Sequence, residues 1–315
     1  MLKHIDEGCE KDKLVNEVIE EKFKALNLEN TNWNNKSRYT PEYEESNQNF
    51  EITKVNNQSP LRYPGGKTRA CKKLDIILTE NFDVSEFDNI VSPFFGGGSF
   101  EFYIQNKYRL YIIANDKFTP LYNFWNVCKI DKKNLCKELT KKIDLIDKKT
   151  FSSLRENIMD EKKIFEQSVM YFIINRCSFS GATLSGGFSL EASKKRFTKS
   201  SIDKINKLDL TNCRFDNLDF EEFIDKNQYQ KNLMFLDPPY YLEKNSTLYG
   251  KNGDMHGTFE HDRLHKYLST KKNWIMTYNN CEYIKNLYID FKIIETNWTY
   301  GMNRSKKSSE IVIIG

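Results

Sequence analysis

The sequence predicts an α/β fold in which a doubly wound, mostly parallel sheet is interrupted by a long, mostly helical insertion. Three observations predict it. Ile90-Val91 leads through Ser92-Pro93-Phe94-Phe95 into Gly96-Gly97-Gly98-Ser99 and a helical stretch from Phe100 to Asn106, the strand, glycine turn and helix of a βα unit. Leu233-Met234-Phe235-Leu236 is a short apolar run, read as a parallel strand buried on both faces, and Asp237-Pro238-Pro239-Tyr240 stops it. Between these units, from Thr119 to about Phe215, the pattern is helical over a length far beyond a plain crossover.

A chain of 315 residues, 39% hydrophobic and 29% charged, can bury a sizeable core. No apolar run approaches the roughly 20 residues that span a bilayer, and the N-terminus has no apolar signal-peptide core. The expectation is a protein that is neither membrane-bound nor secreted. Seven cysteines without CxxC pairing read as reduced thiols, which argues against a disulfide or zinc framework. The net charge of +4 permits an anionic partner without demanding one, so any such affinity must come from local clusters.

In chain order, Leu14, Val18, Ile19, Phe23 and Leu26 form one helical stripe, and an Asn/Glu/Tyr-rich stretch without period follows. Residues 1–58 are therefore read as an accessory helix and linker outside the main core. Next, Pro60-Leu61-Arg62-Tyr63-Pro64-Gly65-Gly66-Lys67-Thr68 precedes a helix from Arg69 to Leu78. A P-loop would need glycine where Leu61 stands, so this segment is read instead as a glycine turn that captures an anion with Lys67. The strand Leu110 to Ala114 ends in Asn115-Asp116. An acidic residue there, about twenty residues past the glycine turn, is placed to accept hydrogen bonds from ribose hydroxyls.

Within the insertion a buried helix, Val169 to Ile174, runs into Asn175-Arg176-Cys177-Ser178-Phe179-Ser180-Gly181. A Gly/Ser-rich stretch to Phe188 follows, and then the basic cluster Lys194, Lys195, Arg196, Lys199, Lys204 and Lys207. This reads as a polar, flexible subdomain that grips a substrate. Arg214 to Phe220 restores the α/β rhythm before the strand at Leu233. The loop from Tyr241 to Phe259, with Gly250, Gly253, Gly257 and His256, reads as a lid. A helix from Glu260 to Leu268 and strands at Trp274–Tyr278, Phe291–Glu295 and Glu310–Ile314 complete the sheet.

At the tip of the Leu233 strand a carboxylate, a backbone carbonyl and an aromatic face meet at one rigid point. That combination suits a planar group bearing an NH2, with Asp237 and the Pro238 carbonyl accepting from the amine and Tyr240 stacking on the ring.

Four motifs together resemble the adenine-N6 DNA methyltransferases of the group containing the Dam enzymes, the D12 class. They are Tyr63-Pro64-Gly65-Gly66-Lys67, Pro93-Phe94-Phe95-Gly96-Gly97-Gly98-Ser99, Asn175 to Gly181, and Asp237-Pro238-Pro239-Tyr240, in that family's order. The resemblance runs from about Pro60 to Gly315. It implies a Rossmann-like S-adenosylmethionine-dependent methyltransferase sheet over 59–120 and 210–315, with a helical target-recognition subdomain at 121–209.

It further implies S-adenosyl-L-methionine as cofactor, with its methionine part near Tyr63, Gly65, Gly66, Lys67 and the turn Phe95, Gly96, Gly97, Gly98. Asp116 would take the ribose hydroxyls, Asp219 the cofactor's adenine amine with Phe220 beside it, and Asp237 would face the transferred methyl. The catalytic set would be Asp237, Pro238, Pro239 and Tyr240, acting on an adenine flipped out of double-stranded DNA in the cytoplasm, nucleoid or nucleus. Lys194, Lys195, Arg196 and Lys199 would meet phosphates, while Arg176, Ser178 and Ser180 would lie at the bases.

Direct transfer requires no metal and no covalent enzyme intermediate. A histidine base is dispensable too, since the amine proton becomes strongly acidic only after methylation, so His256 is read as structural or DNA-contacting. The resemblance leaves a cognate restriction endonuclease open as a partner. The alternatives are an RNA adenine or protein-amide methyltransferase and a catalytically silent DNA-binding relative.

Overall fold

The computed structural model describes residues 17–26, 54–241, 259–299 and 307–315. The predicted lid falls almost wholly outside them, and His256 with it. Strands β1 (Asn89–Ser92), β2 (Tyr111–Asn115), β3 (Cys213–Asp216), β4 (Asn232–Leu236), β5 (Trp274–Asn279), β6 (Lys292–Thr299) and β7 (Lys307–Ile314) form one sheet in the order β3-β2-β1-β4-β5-β7-β6. Strands β3, β2, β1, β4 and β5 run parallel, and β7 pairs antiparallel with both β5 and β6.

The parallel strands carry continuous apolar runs because both faces of the sheet are covered. Alternate side chains divide between two cores. Ile90, Ile112, Leu233, Phe235 and Ile275 enter one, under α2 (Cys71–Asn81), α3 (Ser99–Tyr108) and α4 (Thr119–Ile130). Val91, Ile113, Met234, Leu236 and Met276 enter the other, under α10 (Phe220–Lys226), α11 (His261–Leu268) and α12 (Glu282–Leu287).

Helices α5 (Lys132–Lys141), α6 (Lys148–Asn157), α7 (Ile164–Cys177), α8 (Leu190–Lys195) and α9 (Lys199–Asn206) build the insertion outward from α4. Trp125 of α4 stacks on Phe215 of β3 at 5.8 Å, and Phe124 stacks on Phe172 of α7 at 5.7 Å. The first helix after β2 is thus a sheet-covering crossover helix that also carries the insertion. Leu135, Phe172, Ile202 and Leu208 lie in the same buried cluster as Ile90 and Ile112. The insertion shares a core with the sheet.

The N-terminal helix, α1 (residues 17–26), corrects an expectation. Ile19 and Phe23 are buried in the main cluster, and Phe23 meets Tyr122 edge-on at 5.8 Å. Most of such a helix's stability comes from tertiary packing of its apolar face. Two side chains worth about 1.5–3 kcal/mol each when fully buried therefore decide where it sits.

The Gly/Ser stretch is ordered as two short 3-10 turns, Phe179–Gly181 and Thr183–Ser185, closed by an isolated bridge between Ser178 and Phe188. Cys71, Cys128, Cys136, Cys177, Cys213 and Cys281 are free thiols. Among the described residues no helix is long and apolar enough to cross a membrane, and no three His, Cys, Asp or Glu side chains form a metal-ligating group.

Candidate active site

The helices that follow β1 and β4, α3 and α11, cover opposite faces of the sheet, so the C-terminal ends of these neighbouring strands form a switch point, the place where open α/β sheets have their ligand crevice. The glycine turn follows β1 and Asp237 follows β4. Gly96 (φ 51°) and Gly98 (φ 64°) take left-handed backbone conformations that side chains other than glycine rarely adopt. A Cβ on Gly98 would lie 2.3 Å from the Phe95 ring, and one on Gly96 would lie 2.8 Å from the Tyr63 ring. The glycines thus make room first for the protein's own aromatic rings. Phe95 itself is buried against Phe102, Trp125 and Phe215, so its ring belongs to the core, and only its backbone can serve a ligand.

Tyr63-Pro64-Gly65-Gly66 forms a tight turn closed by the Gly66 N–H donating to the Tyr63 carbonyl at 3.0 Å. Pro64 presets the first corner and Gly65, at φ 73°, supplies the second. The turn delivers Lys67 to the crevice. Its Nζ donates to both carboxylate oxygens of Asp237 at 2.6 Å and to the Gly65 carbonyl at 2.8 Å. Thr277 of β5 donates to Asp237 Oδ1 at 2.7 Å. Lys67, expected beside the cofactor's methionine part, is here 3% exposed and paired with the proposed catalytic carboxylate.

A carboxylate has about four acceptor positions. Lys67 and Thr277 occupy three here, which leaves one on Oδ2. The Tyr240 hydroxyl donates to Glu310 Oε2 at 2.6 Å.

Asp116 lies beyond β2 as expected. Its Oδ2 accepts from the Gly96 N–H and its Oδ1 from the Phe118 N–H, both at 2.9 Å, so it braces the glycine turn as well as facing the crevice. Burial pushes its carboxyl up to about 6, against the pull of those two N–H groups. Asp219 caps α10 by accepting from the Glu221 N–H and pairs with Arg263 at 2.8 Å and Lys117 at 3.2 Å. Phe220 is buried, with the Arg263 guanidinium 4.7 Å from its ring centroid. Phe94 and Phe259 pack against it at 5.8 and 6.1 Å. Neither has a role in the sequence reading: Phe94 lies inside the glycine motif and Phe259 ends the predicted lid, but only the fold brings both rings onto Phe220.

Glu101 of α3 is another residue the sequence did not single out. It is fully enclosed behind the glycine turn, accepts from Ser92 Oγ at 2.6 Å, and feels the charges of Asp237 and Lys67. Burial pushes its carboxyl up to about 8 from the ordinary 4.5. The unfolded chain then ionises this group at lower pH than the folded one. Its contribution to stability is whole below about 4.5 and is lost as pH rises toward 8. Glu101→Gln should therefore raise the melting temperature relative to wild type at about pH 8.5 and not at about pH 5. An equal difference at both values would refute the buried-acid assignment.

The insertion presents a basic face, but not with all the expected residues. Lys194, Lys195, Arg196 and Lys199 are exposed, and Lys195 pairs with Glu191 at 3.1 Å. Ser178, expected at the bases, is fully buried; its hydroxyl donates to the Asn175 carbonyl and accepts from the Thr183 N–H. It shapes the loop and has no face to offer DNA. Ser180 is half-buried in the left-handed region, at φ 57°.

Arg176 donates to the Arg196 carbonyl at 2.7 Å and the Pro60 carbonyl at 3.1 Å, tying the insertion to the segment before the Tyr63 turn. Burial, then Arg62 and Arg196, lower it to about 10. Asn175 clamps the Arg62 backbone, accepting its N–H at 2.9 Å and donating to its carbonyl at 2.7 Å. Phe179, inside the loop from Ser178 to Phe188 that the sequence places at the bases, is 68% exposed at its tip, while half-buried Arg62, given no role by the sequence, donates to the Ser178 carbonyl at 3.2 Å.

A glycine turn and Asp116 on one side of the switch point, with an acidic strand tip on the other, lie on a Rossmann-like sheet of the methyltransferase type. The chain belongs to the D12 class N6 adenine-specific DNA methyltransferases, whose family profile matches residues 63–302. It is similar to the type II methyltransferase M.MjaIII of Methanocaldococcus jannaschii, at 26% identity over 201 residues, covering 57% of this chain and 68% of that protein. The protein is an adenine-specific DNA methyltransferase, and all four sequence motifs lie inside the matched span.

Proposed function

We propose that the protein moves the methyl group of S-adenosylmethionine directly to the N6 amine of an adenine flipped out of duplex DNA. The observation that carries this is the strand tip at Asp237. One acceptor position on Oδ2 and the Pro238 carbonyl can take the two N–H bonds of an exocyclic amine while Lys67 and Thr277 hold the carboxylate in place. Accepting both N–H bonds draws the nitrogen toward sp3 geometry and frees its lone pair, which is otherwise delocalised into the ring. Positioning and electrostatics supply the rate enhancement.

The residues fit the cofactor. Asp116 retains acceptor capacity on both oxygens for ribose hydroxyls, and Phe94, Phe220 and Phe259 offer apolar surface for a purine. Asp219, expected to accept from the purine amine, already accepts from the Glu221 N–H, Arg263 and Lys117, so it would have to release the exposed Lys117 contact to do so. The Gly65-Gly66 turn with Lys67 suits a carboxylate. When bound, S-adenosylmethionine supplies an electrophilic methyl on a sulfonium.

Flipping the base costs a few kcal/mol. Stacking on Tyr240 returns about 1–3 kcal/mol, and phosphate contacts from Lys194, Arg196 and Lys199 supply the rest. Phe179, exposed at the loop tip, is the residue of this loop best able to meet the bases. The type II designation of M.MjaIII makes one short recognition site, with a cognate restriction endonuclease beside it, the form of activity to look for.

The test is transfer of label from S-adenosylmethionine to mixed-sequence duplex DNA, followed by mapping of N6-methyladenine. Label in adenine at one short motif is expected. Label in RNA or protein instead, or none in DNA, would refute the proposal.

A further inference from the structure

Tyr240 follows two prolines whose φ angles are fixed, which narrows the backbone freedom that carries its ring. The structure ties that side chain at its far end. The hydroxyl donates to Glu310 Oε2 at 2.6 Å. Glu310 lies within β7, paired with Asn279 of β5 on one side and Thr296 of β6 on the other, and is 1% exposed. The ring also rests on Tyr278 at 6.0 Å with a 32° tilt, and Tyr278 is fully buried with its hydroxyl 2.6 Å from His261 Nδ1.

A carboxylate is rarely placed inside a sheet, because desolvating it is unfavourable unless a polar partner meets it. Here one such partner is the aromatic residue of the proposed active site. A ring that must stack on an extruded base gains from being held in one plane before the base arrives.

We propose that Glu310 is a positioning residue which, through the Tyr240 hydroxyl, sets the plane of the ring against which the target adenine stacks. This rests on the base-flipping reading above. Glu310→Met removes the acceptor at similar volume, Glu310→Gln keeps an acceptor oxygen, and Tyr240→Phe removes the hydroxyl while keeping the ring. Two readouts are made on a duplex carrying the mapped target site: single-turnover methyl transfer, and fluorescence of 2-aminopurine placed at the target position.

Glu310→Met is expected to slow transfer on the order of 10-fold, less than the ~100-fold cost of a 1 Å misplacement. It should also brighten the 2-aminopurine, because a flipped base that stacks poorly is less quenched. Glu310→Gln should stay near wild type in both. In the Tyr240→Phe background, Glu310→Met should cause no further loss. An equal loss in both backgrounds, or wild-type rate and fluorescence in Glu310→Met, would overturn the proposal.

If Glu310→Met does not fold, Tyr240→Phe tests the same bond from its other end. Wild-type rate and fluorescence there would overturn the proposal equally. Failure of base flipping itself would show differently, as wild-type enzyme that leaves the 2-aminopurine signal unchanged on binding.

Discussion

Asp237→Ala is expected to reduce single-turnover methyl transfer by at least ~10³-fold, the upper end of what one preorganised polar group contributes at a reaction centre. The upper end applies because two arrangements fail together. The target amine loses its charged acceptor, and Lys67, 3% exposed, loses the carboxylate it donates to. Asp237→Asn separates these effects in part, since one oxygen with two acceptor positions remains while the charge is lost and the other oxygen is replaced by an NH2 donor. It should retain measurable transfer above the alanine variant. Equal rates for wild type and Asp237→Ala, measured on the mapped DNA site, would place the chemistry elsewhere.

Lys67→Met is expected to lower stability by about 3 kcal/mol, the low end for breaking a buried ion pair from one side, because Asp237 is partly open to water. The loss comes from a carboxylate left without its cation beside the enclosed Glu101. Transfer should fall as well, since Lys67 holds both oxygens of Asp237 in place. The double variant Lys67→Met, Asp237→Asn should recover most of the lost stability, because the stranded charge is gone, while transfer stays low. Denaturant unfolding of the four proteins in the cycle measures the coupling. Additive losses would show that the 2.6 Å pair contributes nothing to the folded state.

These two variants bear on different parts of what could be read from the chain. The strands at Ile90, Leu110, Leu233 and Trp274 were legible because a strand buried on both faces must be apolar throughout, and each prediction falls within a residue or two of the observed bounds. The short helices at Phe220 and Glu282 were not, since six or seven residues are too few to show a period. The loop after α7 was legible as polar and glycine-rich, but not which of its polar groups face outward. Packing buried Ser178 and turned Arg176 onto backbone carbonyls, and it left Phe179 exposed.

By itself the sequence determined the α/β architecture, the glycine turn, the acidic residue after β2 and the Asp-Pro-Pro-Tyr strand tip. Each of these follows from local rules of periodicity, backbone conformation and proline geometry. Only the tertiary structure decided the partners. Lys67 meets Asp237 across 170 residues of chain, Tyr240 meets Glu310 across 70, and Arg62 meets Asn175 across 113. The fold also enclosed Glu101 behind the glycine turn. The physical reason is that a backbone rule acts over a few neighbouring residues, whereas a buried charge takes its partner from whatever the folded sheet brings within hydrogen-bond distance.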